Sequence, residues 1–470
     1  MSVLEILGAA ATILLIAAAG ASARRRVKCF ADFATAGSSL GPVQVAGTII
    51  GTIVGGASTV GAAQLAFRYG LSGWWFSLGS CFALTFLGVV LAAPMRTSGL
   101  KTIPQFLERS YGPRVGPWAW LFTSVGLMLN IIGQMLAAMS LLATVFGLGP
   151  EMAMVLTALM VMVYVMFGGV FSAGSVGIIK TLLLTGSMLA VGVATSSLSG
   201  GLGSFGQALP RYPYFSLFGR GVWVDLAAAF SLMVGVSSTQ TYIQAMFSAR
   251  DVKSSRAGAL LSAALAPLLG IPGVAVGMFM RINHPDINAV NALPLFVTTY
   301  MNPLLSGIIL ATLFISVIGT AAGLSLGVSV MFGQDIYKKR LRPMCSDRDI
   351  LVASRLAIIA VSAVALLVAL SGKESLILEW SFLSMGLRGS TVFFPLIGAV
   401  FFPKYVSKRA GILAVGVAPA CAIAWGTVNP AGLDPLYIGL ATSIIIVAVG
   451  SWFMRDKIAE SQCERSGSIG

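Results

Sequence analysis

Two clusters of small and polar residues interrupt long apolar segments of this sequence. The first, Gly55-Gly56-Ala57-Ser58, lies within residues 40–69, and the second, Gly235-Val236-Ser237-Ser238, within residues 223–246. Glycine and serine serve poorly inside a membrane helix unless the backbone opens there. An opened stretch bares amides and carbonyls that lipid cannot satisfy, so it survives where it lines a cavity. Free amides and half-helix N-termini favour an anionic group, whereas free carbonyls and hydroxyls suit a weakly held monovalent cation. Gly55, Gly56 and Ser58 at the first break are candidate solute-binding positions, as are Ser237, Ser238 and Gln240 at or after the second. An isolated serine in a membrane helix is ordinarily a packing residue. The run Ser237-Ser238-Thr239-Gln240 is different, because adjacent polar groups near the midplane need partners.

Arg388 extends that chemistry. It stands in Leu383-Ser384-Met385-Gly386-Leu387-Arg388, well inside an apolar run. A mid-membrane arginine costs about 2.5–3.5 kcal/mol, so it faces a cavity or a partner. One role is a bidentate clamp on a solute carboxylate. The structural alternative pairs it with Glu379, with Asp225 or with carbonyls. Asp225 itself reads as an interface or gate residue, and His284 as a solvated loop histidine.

The elements that position these residues are membrane helices. A chain of 470 residues with 57% hydrophobic and 10% charged residues, and mean hydropathy +0.91, is not a soluble protein. Hydropathy gives about thirteen segments of the ~20 apolar residues that a crossing requires, so the expected fold is an all-α polytopic membrane protein. The net charge of +14 is placed by topology. Arg24, Arg25, Arg26 and Lys28 follow the first span; Arg96, Lys101, Arg109 and Arg114 the third; Arg250, Lys253 and Arg256 the seventh. Lys338, Lys339, Arg340, Arg342 and Arg348 follow the ninth, Lys404, Lys408 and Arg409 the eleventh, and Arg455, Lys457 and Arg465 the last. The other side holds Arg68, Arg211, Arg220, Arg281 and Lys373. By the positive-inside rule the N-terminus is outside and the C-terminus cytoplasmic, in a plasma (inner) membrane. The basic excess therefore argues for a lipid bilayer and not for nucleic acid. The first segment has arginines after it and none before it, the reverse of a signal peptide, so it counts as a span. Cys29, Cys81, Cys345, Cys421 and Cys463 show no metal spacing, and no disulfide is expected.

The breaks at Gly55 and Gly235 are about 180 positions apart, with five spans in each unit, so the second unit enters the membrane in the opposite direction. That is an inverted repeat, with this expected division: 1–36, the first helix and a basic loop; 37–200, the first repeat; 201–402, the second; 403–455, two further spans; 456–470, a polar tail. The long connections at residues 200–221 and 283–302 have room for short gating helices. Interrupted spans at matching positions of two halves point to the midplane site of a secondary transporter.

Several stretches carry a family resemblance. Gly37-Ser38-Ser39-Leu40-Gly41-Pro42, the broken span and Tyr69-Gly70-Leu71 resemble the start of the sodium/solute symporter family. Thr102-Ile103-Pro104-Gln105-Phe106-Leu107 with Tyr111-Gly112 resembles its T-x-P-E-F-L…R-Y-G segment, with Ser110 in place of the arginine. Gly168-Gly169 matches its Gly-Gly turn, and Gln244 to Asp251 its Q-R-x-x-A-A-K-D segment, with Ala245 in place of the arginine. Gly319-Thr320-Ala321 and Asp335-Ile336-Tyr337-Lys338-Lys339 resemble its S-T-A…D-I-Y-K-K segment. The resemblance covers nearly the whole chain and implies a five-plus-five inverted-repeat core like that of the neurotransmitter:sodium symporters, working by alternating access with one pathway per chain. It also implies a sodium site formed by the carbonyls of Gly51, Val54 and Ser316 and the hydroxyl of Thr320, and a glutamine, here Gln134, in span four. Sodium is then the coupling ion, and no other cofactor is expected.

Two departures bear on that site. The family's second hydroxyl falls at Gly319, and its Thr-Asp pair and following glutamine fall at Val176, Gly177 and Lys180. Lys180 reads first as a lysine that snorkels to the inner interface. Alternatively its ammonium replaces sodium, making coupling proton-linked or absent. The function expected is sodium-coupled symport of a small organic solute, with a lean to a carboxylate-bearing one; the alternatives are the same fold running on protons or as an exchanger, and a membrane sensor. No constellation for enzyme chemistry stands out.

Overall fold

The computed structural model describes residues 2–24, 34–200, 205–372, 375–428 and 433–453, with the side chains of 164–176 and most of 17–24 left aside. Arg25, Arg26, Lys28, Cys29, Lys373, Arg455, Lys457, Cys463 and Arg465 lie outside the described residues, and so does the polar tail. Gly168, Gly169 and Val176 fall in the stretch whose side chains are left aside.

The first span is α1 (Val3–Arg24). The second is split into α2 (Pro42–Ile53), a π-helical turn (Ala57–Gly61) and α3 (Ala62–Tyr69). After α4 (Trp75–Phe86) the chain makes a short amphipathic helix, α5 (Ile103–Tyr111), then α6 (Val115–Phe146). The segments expected as spans five and six fall in one helical element, α7 (Pro150–Leu198). The seventh span is split into α8 (Val222–Val236) and α9 (Gln240–Ser248). Then follow α10 (Val252–Asn283), the short α11 (Ala292–Tyr300), and α12 (Pro303–Met331) with its π-helical extension Phe332–Leu341. The last four spans are α13 (Asp347–Ser371), α14 (Ile377–Phe401), α15 (Lys408–Val428) and α16 (Pro435–Phe453). Among the described residues ten helical segments are long and apolar enough to cross a bilayer, and shorter apolar helices lie at Val3–Ile16, Pro42–Ile53, Pro150–Val163 and Ala289–Tyr300. Pro42–Ile53 and the start of Ala57–Thr97 are the two halves of the second span, whose remainder is the third; Ala289–Tyr300 lies in a connection, and the other segments fall at the remaining expected spans.

Both long connections carry short helices, Phe205–Ala208 and Arg211–Tyr214 in the first and α11 in the second. The breaks sit close to their expected places, with small shifts. The first is at Val54–Gly56, where Val54 is extended (φ −90°, ψ 92°), one residue earlier than expected. The second opens at Ser237–Thr239, two residues later than Gly235. Gly235 is still helical and serves packing: a Cβ there would stand 2.6 Å from the Cα of Met385 on α14.

The family-like motifs acquire physical jobs. Thr102 caps α5 by accepting from the Gln105 amide at 3.3 Å, and the Tyr111 hydroxyl at its far end donates to the Pro395 carbonyl at 2.6 Å. Asp251 caps α10; the Ser254 amide donates to its carboxylate at 2.6 Å and holds it below the usual carboxylate range.

Candidate functional site

A broken helix leaves its last carbonyls and first amides without partners. Here three of these groups are answered by side chains from other helices. The Gly51 carbonyl, at the end of α2, accepts from Lys180 Nζ on α7. The Val54 carbonyl accepts from Ser316 Oγ on α12 at 2.8 Å. The Gly56 amide donates to Gln134 Oε1 on α6 at 2.8 Å, and Gln134 Nε2 donates to Asn130 at 3.1 Å.

Lys180 is the centre of this group. Its side chain is 2% exposed, so it does not snorkel to an interface. Its Nζ also donates to the Ser316 carbonyl at 2.7 Å and lies 3.4 Å from Thr320 Oγ1. The residues expected as sodium ligands, Gly51, Val54, Ser316 and Thr320, do converge, and an ammonium is among them. Two glycines make this possible. A Cβ on Gly177 would run into the Gly47 carbonyl, so only glycine lets α7 approach α2 closely enough for Lys180 to reach Gly51. A Cβ on Gly319 would stand 3.1 Å from Lys180 Nζ. The two departures from the family-like pattern at Gly177 and Gly319 thus both lie against the path that Lys180 takes to these oxygens.

Arg388 is fully buried at the second break. Its Nη1 donates to Thr239 Oγ1 at 2.6 Å, its Nη2 to Ser384 Oγ at 2.8 Å and its Nε to the Ser384 carbonyl at 3.1 Å. Neither expected acidic partner is used. Asp225 is bound instead by Arg220 at 2.7 Å and by the Ser72 hydroxyl at 3.1 Å. Among the described residues no carboxylate forms a salt bridge with Arg388 or Lys180. Arg388 packs beside Gly126 on α6, two helical turns from Gln134, which separates the two centres by about 12 Å at 1.5 Å per residue.

The other expected solute contacts divide. Ser58 donates to the Gly55 carbonyl at 3.1 Å and Ser237 to Met233 at 2.9 Å, both local bonds. Gln240 accepts from the Ile103 amide at 2.8 Å and donates to the Lys101 carbonyl at 3.0 Å, which ties α9 to the loop before α5. Ser238 Oγ is buried without a partner. Thr239 belongs to the polar run that the sequence singles out at the second break, whereas Ser384 and Asn130 escaped the sequence-based site; the signal for Asn130 was its place one turn before Gln134 on α6.

The model of the sodium:solute symporter family matches residues 33–415 of the chain. The chain belongs to the sodium:solute symporter family. It is 24% identical over 455 residues to the high-affinity proline transporter PutP of Bacillus subtilis (strain 168), covering 91% of this chain and 93% of that one. A second relative from the same organism, the uncharacterized symporter YwcA, is 24% identical over 405 residues, covering 83% and 79%. The fold matches that of a Na+-coupled sialic acid symporter with a TM-score of 0.80 at 18% identity, over 97% of this chain and 98% of the other. This family member is accordingly a multi-pass membrane transporter and not an enzyme, and its family and relatives support the class of sodium-coupled symporters. Lys180, Gly319 and Gly177 set it apart from the pattern that its own motifs resemble.

Proposed function

We propose that this protein moves a small organic solute by alternating access, with the Lys180 ammonium in the place that the family gives to sodium. The observation that carries the reading is the set of contacts from Lys180 Nζ to Gly51, Ser316 and Thr320. An ammonium supplies the positive charge that the orphaned carbonyls at the break require, and it excludes a sodium ion from the same oxygens. The cycle then draws on the solute gradient, an exchange partner or a proton. Sodium-coupled symport is the second reading, favoured by family membership; it requires Nζ to leave these oxygens during the cycle.

The solute carries a carboxylate. Two buried cations without an acidic partner, Lys180 and Arg388, make the path between the breaks attractive to an anion. The relatives named for proline and for sialic acid also handle solutes with a carboxylate. Ser238 Oγ, unpartnered beside the Arg388–Thr239 contact, is available as a further donor. Gln134 and Gln240 hold the break and the neighbouring loop rather than the solute. The basic end of the bundle faces the cytoplasm, so the N-terminus is outside.

Uptake into proteoliposomes, with sodium replaced by choline at constant ionic strength, tests the coupling. Unchanged uptake agrees with the ammonium reading, and loss of uptake makes the protein a sodium symporter. In the same assay Arg388→Gln should raise the apparent KM for a carboxylate solute by about 10- to 150-fold, the worth of one charged hydrogen-bonded contact. An unchanged KM at equal expression removes Arg388 from the solute path.

A further inference from the structure

A second feature lies away from the breaks, at the basic end of the bundle. Between α6, α12 with its π-helical extension, and α13 runs an apolar groove of about 600 Å3, walled by Trp120, Ser124, Met128, Phe332, Ala357 and Ala360. The Trp120 and Phe332 rings pack with centroids 5.9 Å apart and form one side. Leu121 and Leu356 on its rim are 40% and 60% exposed, so the groove opens where the bilayer would be.

Its occupant has to satisfy more than apolar walls. Trp120 Nε1 and Ser124 Oγ are both buried and neither has a hydrogen-bond partner. An orphaned donor in an apolar setting is costly, and indole N–H groups near membrane interfaces ordinarily find an acceptor. One end of the groove, at Tyr337 and Leu341, is flanked by Lys338, Arg340 and Arg342, with Arg348 in the first turn of α13. Arg340 also donates to the Pro113 carbonyl at 2.8 Å, and Lys339 is engaged by Glu108. The nearby acids are Asp335, buried beside Glu108 and Lys339, with Asp347 and Asp349; the Asp349 carboxylate accepts from the amide and hydroxyl of Ser346 and lies close enough to Arg342 and Arg348 to feel both charges. Positive charge is in excess at that end.

We infer that this groove holds an acyl chain of an anionic phospholipid, with its ester carbonyl accepting from Trp120 Nε1 or Ser124 Oγ and its phosphate held by Lys338, Arg342 and Arg348. The apolar length, the two orphaned donors and the basic mouth fall in the order of a phospholipid's chain, ester and headgroup. Basic residues at such a depth attract anionic headgroups.

The test uses the full chain in two measurements: native mass spectrometry after detergent extraction, and melting in nanodiscs of phosphatidylcholine with or without phosphatidylglycerol. The wild type should retain one phosphatidylglycerol and melt higher when that lipid is present. Ala360→Phe, which fills the groove, should lose both effects while melting like the wild type in phosphatidylcholine alone. Arg342→Gln with Arg348→Gln should retain the two lipids equally. Should Ala360→Phe melt low in phosphatidylcholine, Trp120→Phe carries the test, and its retention of the lipid should fall. A wild type that retains no lipid, equal stabilisation by both lipids, or variants that retain phosphatidylglycerol as the wild type does would each overturn the assignment.

Discussion

Lys180 meets the oxygens that the family resemblance assigns to sodium. Its ammonium donates to the Gly51 and Ser316 carbonyls, and removing it strips both of a charged donor. An unmet buried group costs about 1–3 kcal/mol. Lys180→Met should therefore lower the melting temperature, measured with equal detergent and salt; a variant as stable as the wild type would show that these contacts contribute nothing. Gln134 makes a parallel case. Gln134→Leu leaves the Gly56 amide without its acceptor and should cost about 1–3 kcal/mol in the same assay, whereas unchanged melting would mean that the break is held by other means. At this scale the sequence was legible in part. Gly51, Val54, Ser316 and Thr320 could be placed from motif position alone. The bonds of Gln134 to the Gly56 amide and of Gln240 to Ile103 and Lys101 were not legible, because a sequence displays donors and acceptors without displaying which backbone groups lack partners.

The elements were easier to read than their joints. Hydropathy and alternating charge give the spans, since a bilayer imposes length and polarity on every crossing segment. The breaks were readable to within two residues. At the second break the error came from Gly235, whose want of a side chain serves the contact with Met385 and not an opening of the backbone. Gly177 is the element-scale determinant of the Lys180 contacts, because α7 meets α2 across it. Gly177→Val must push the two helices apart, which costs about 1–3 kcal/mol as overpacking does, and it draws Lys180 away from Gly51. The expected result is a lower melting temperature together with the appearance of sodium stabilisation; a variant with wild-type melting in both salts would separate the helix contact from the site.

Over the whole molecule, the two broken spans are strapped at both ends of the bundle. At the basic end Leu40 donates to the Ser248 carbonyl at 3.0 Å and accepts from the Arg250 amide at 2.9 Å, which ties the entry of α2 to the exit of α9. Gln240 adds its two bonds to the loop at Lys101 and Ile103. At the other end the Arg220–Asp225 pair joins Ser72, and the Trp75 indole donates to the Leu217 carbonyl at 2.6 Å. Alternating access requires these straps to open in turn. The two bonds of Gln240 are together worth about 1–3 kcal/mol, or roughly 5- to 150-fold in population. In Gln240→Ala, a cysteine placed at Ser238 should react with a membrane-impermeant thiol reagent from the basic side faster by a factor in that range. An unchanged rate would show that Gln240 is no part of the gate. Of these straps the sequence offered Asp225 alone, as an interface or gate residue; the other pairings were not visible, because residues from distant loops give no sign that they meet.

The measurement that bears most directly on the central claim is thermal unfolding of the purified protein in sodium and in choline at equal ionic strength. It should be run beside the Lys180→Gln/Gly319→Ser double variant, which removes the ammonium and restores the missing hydroxyl. A cation that binds only the folded state raises stability by mass action, by about 2.7 kcal/mol at a hundredfold excess over its Kd. With Lys180 in the cation's place, the wild type should melt at the same temperature in both salts, and the double variant should gain a rise specific to sodium. A sodium-specific rise in the wild type that Thr320→Ala abolishes would contradict the account and return the protein to sodium-coupled symport.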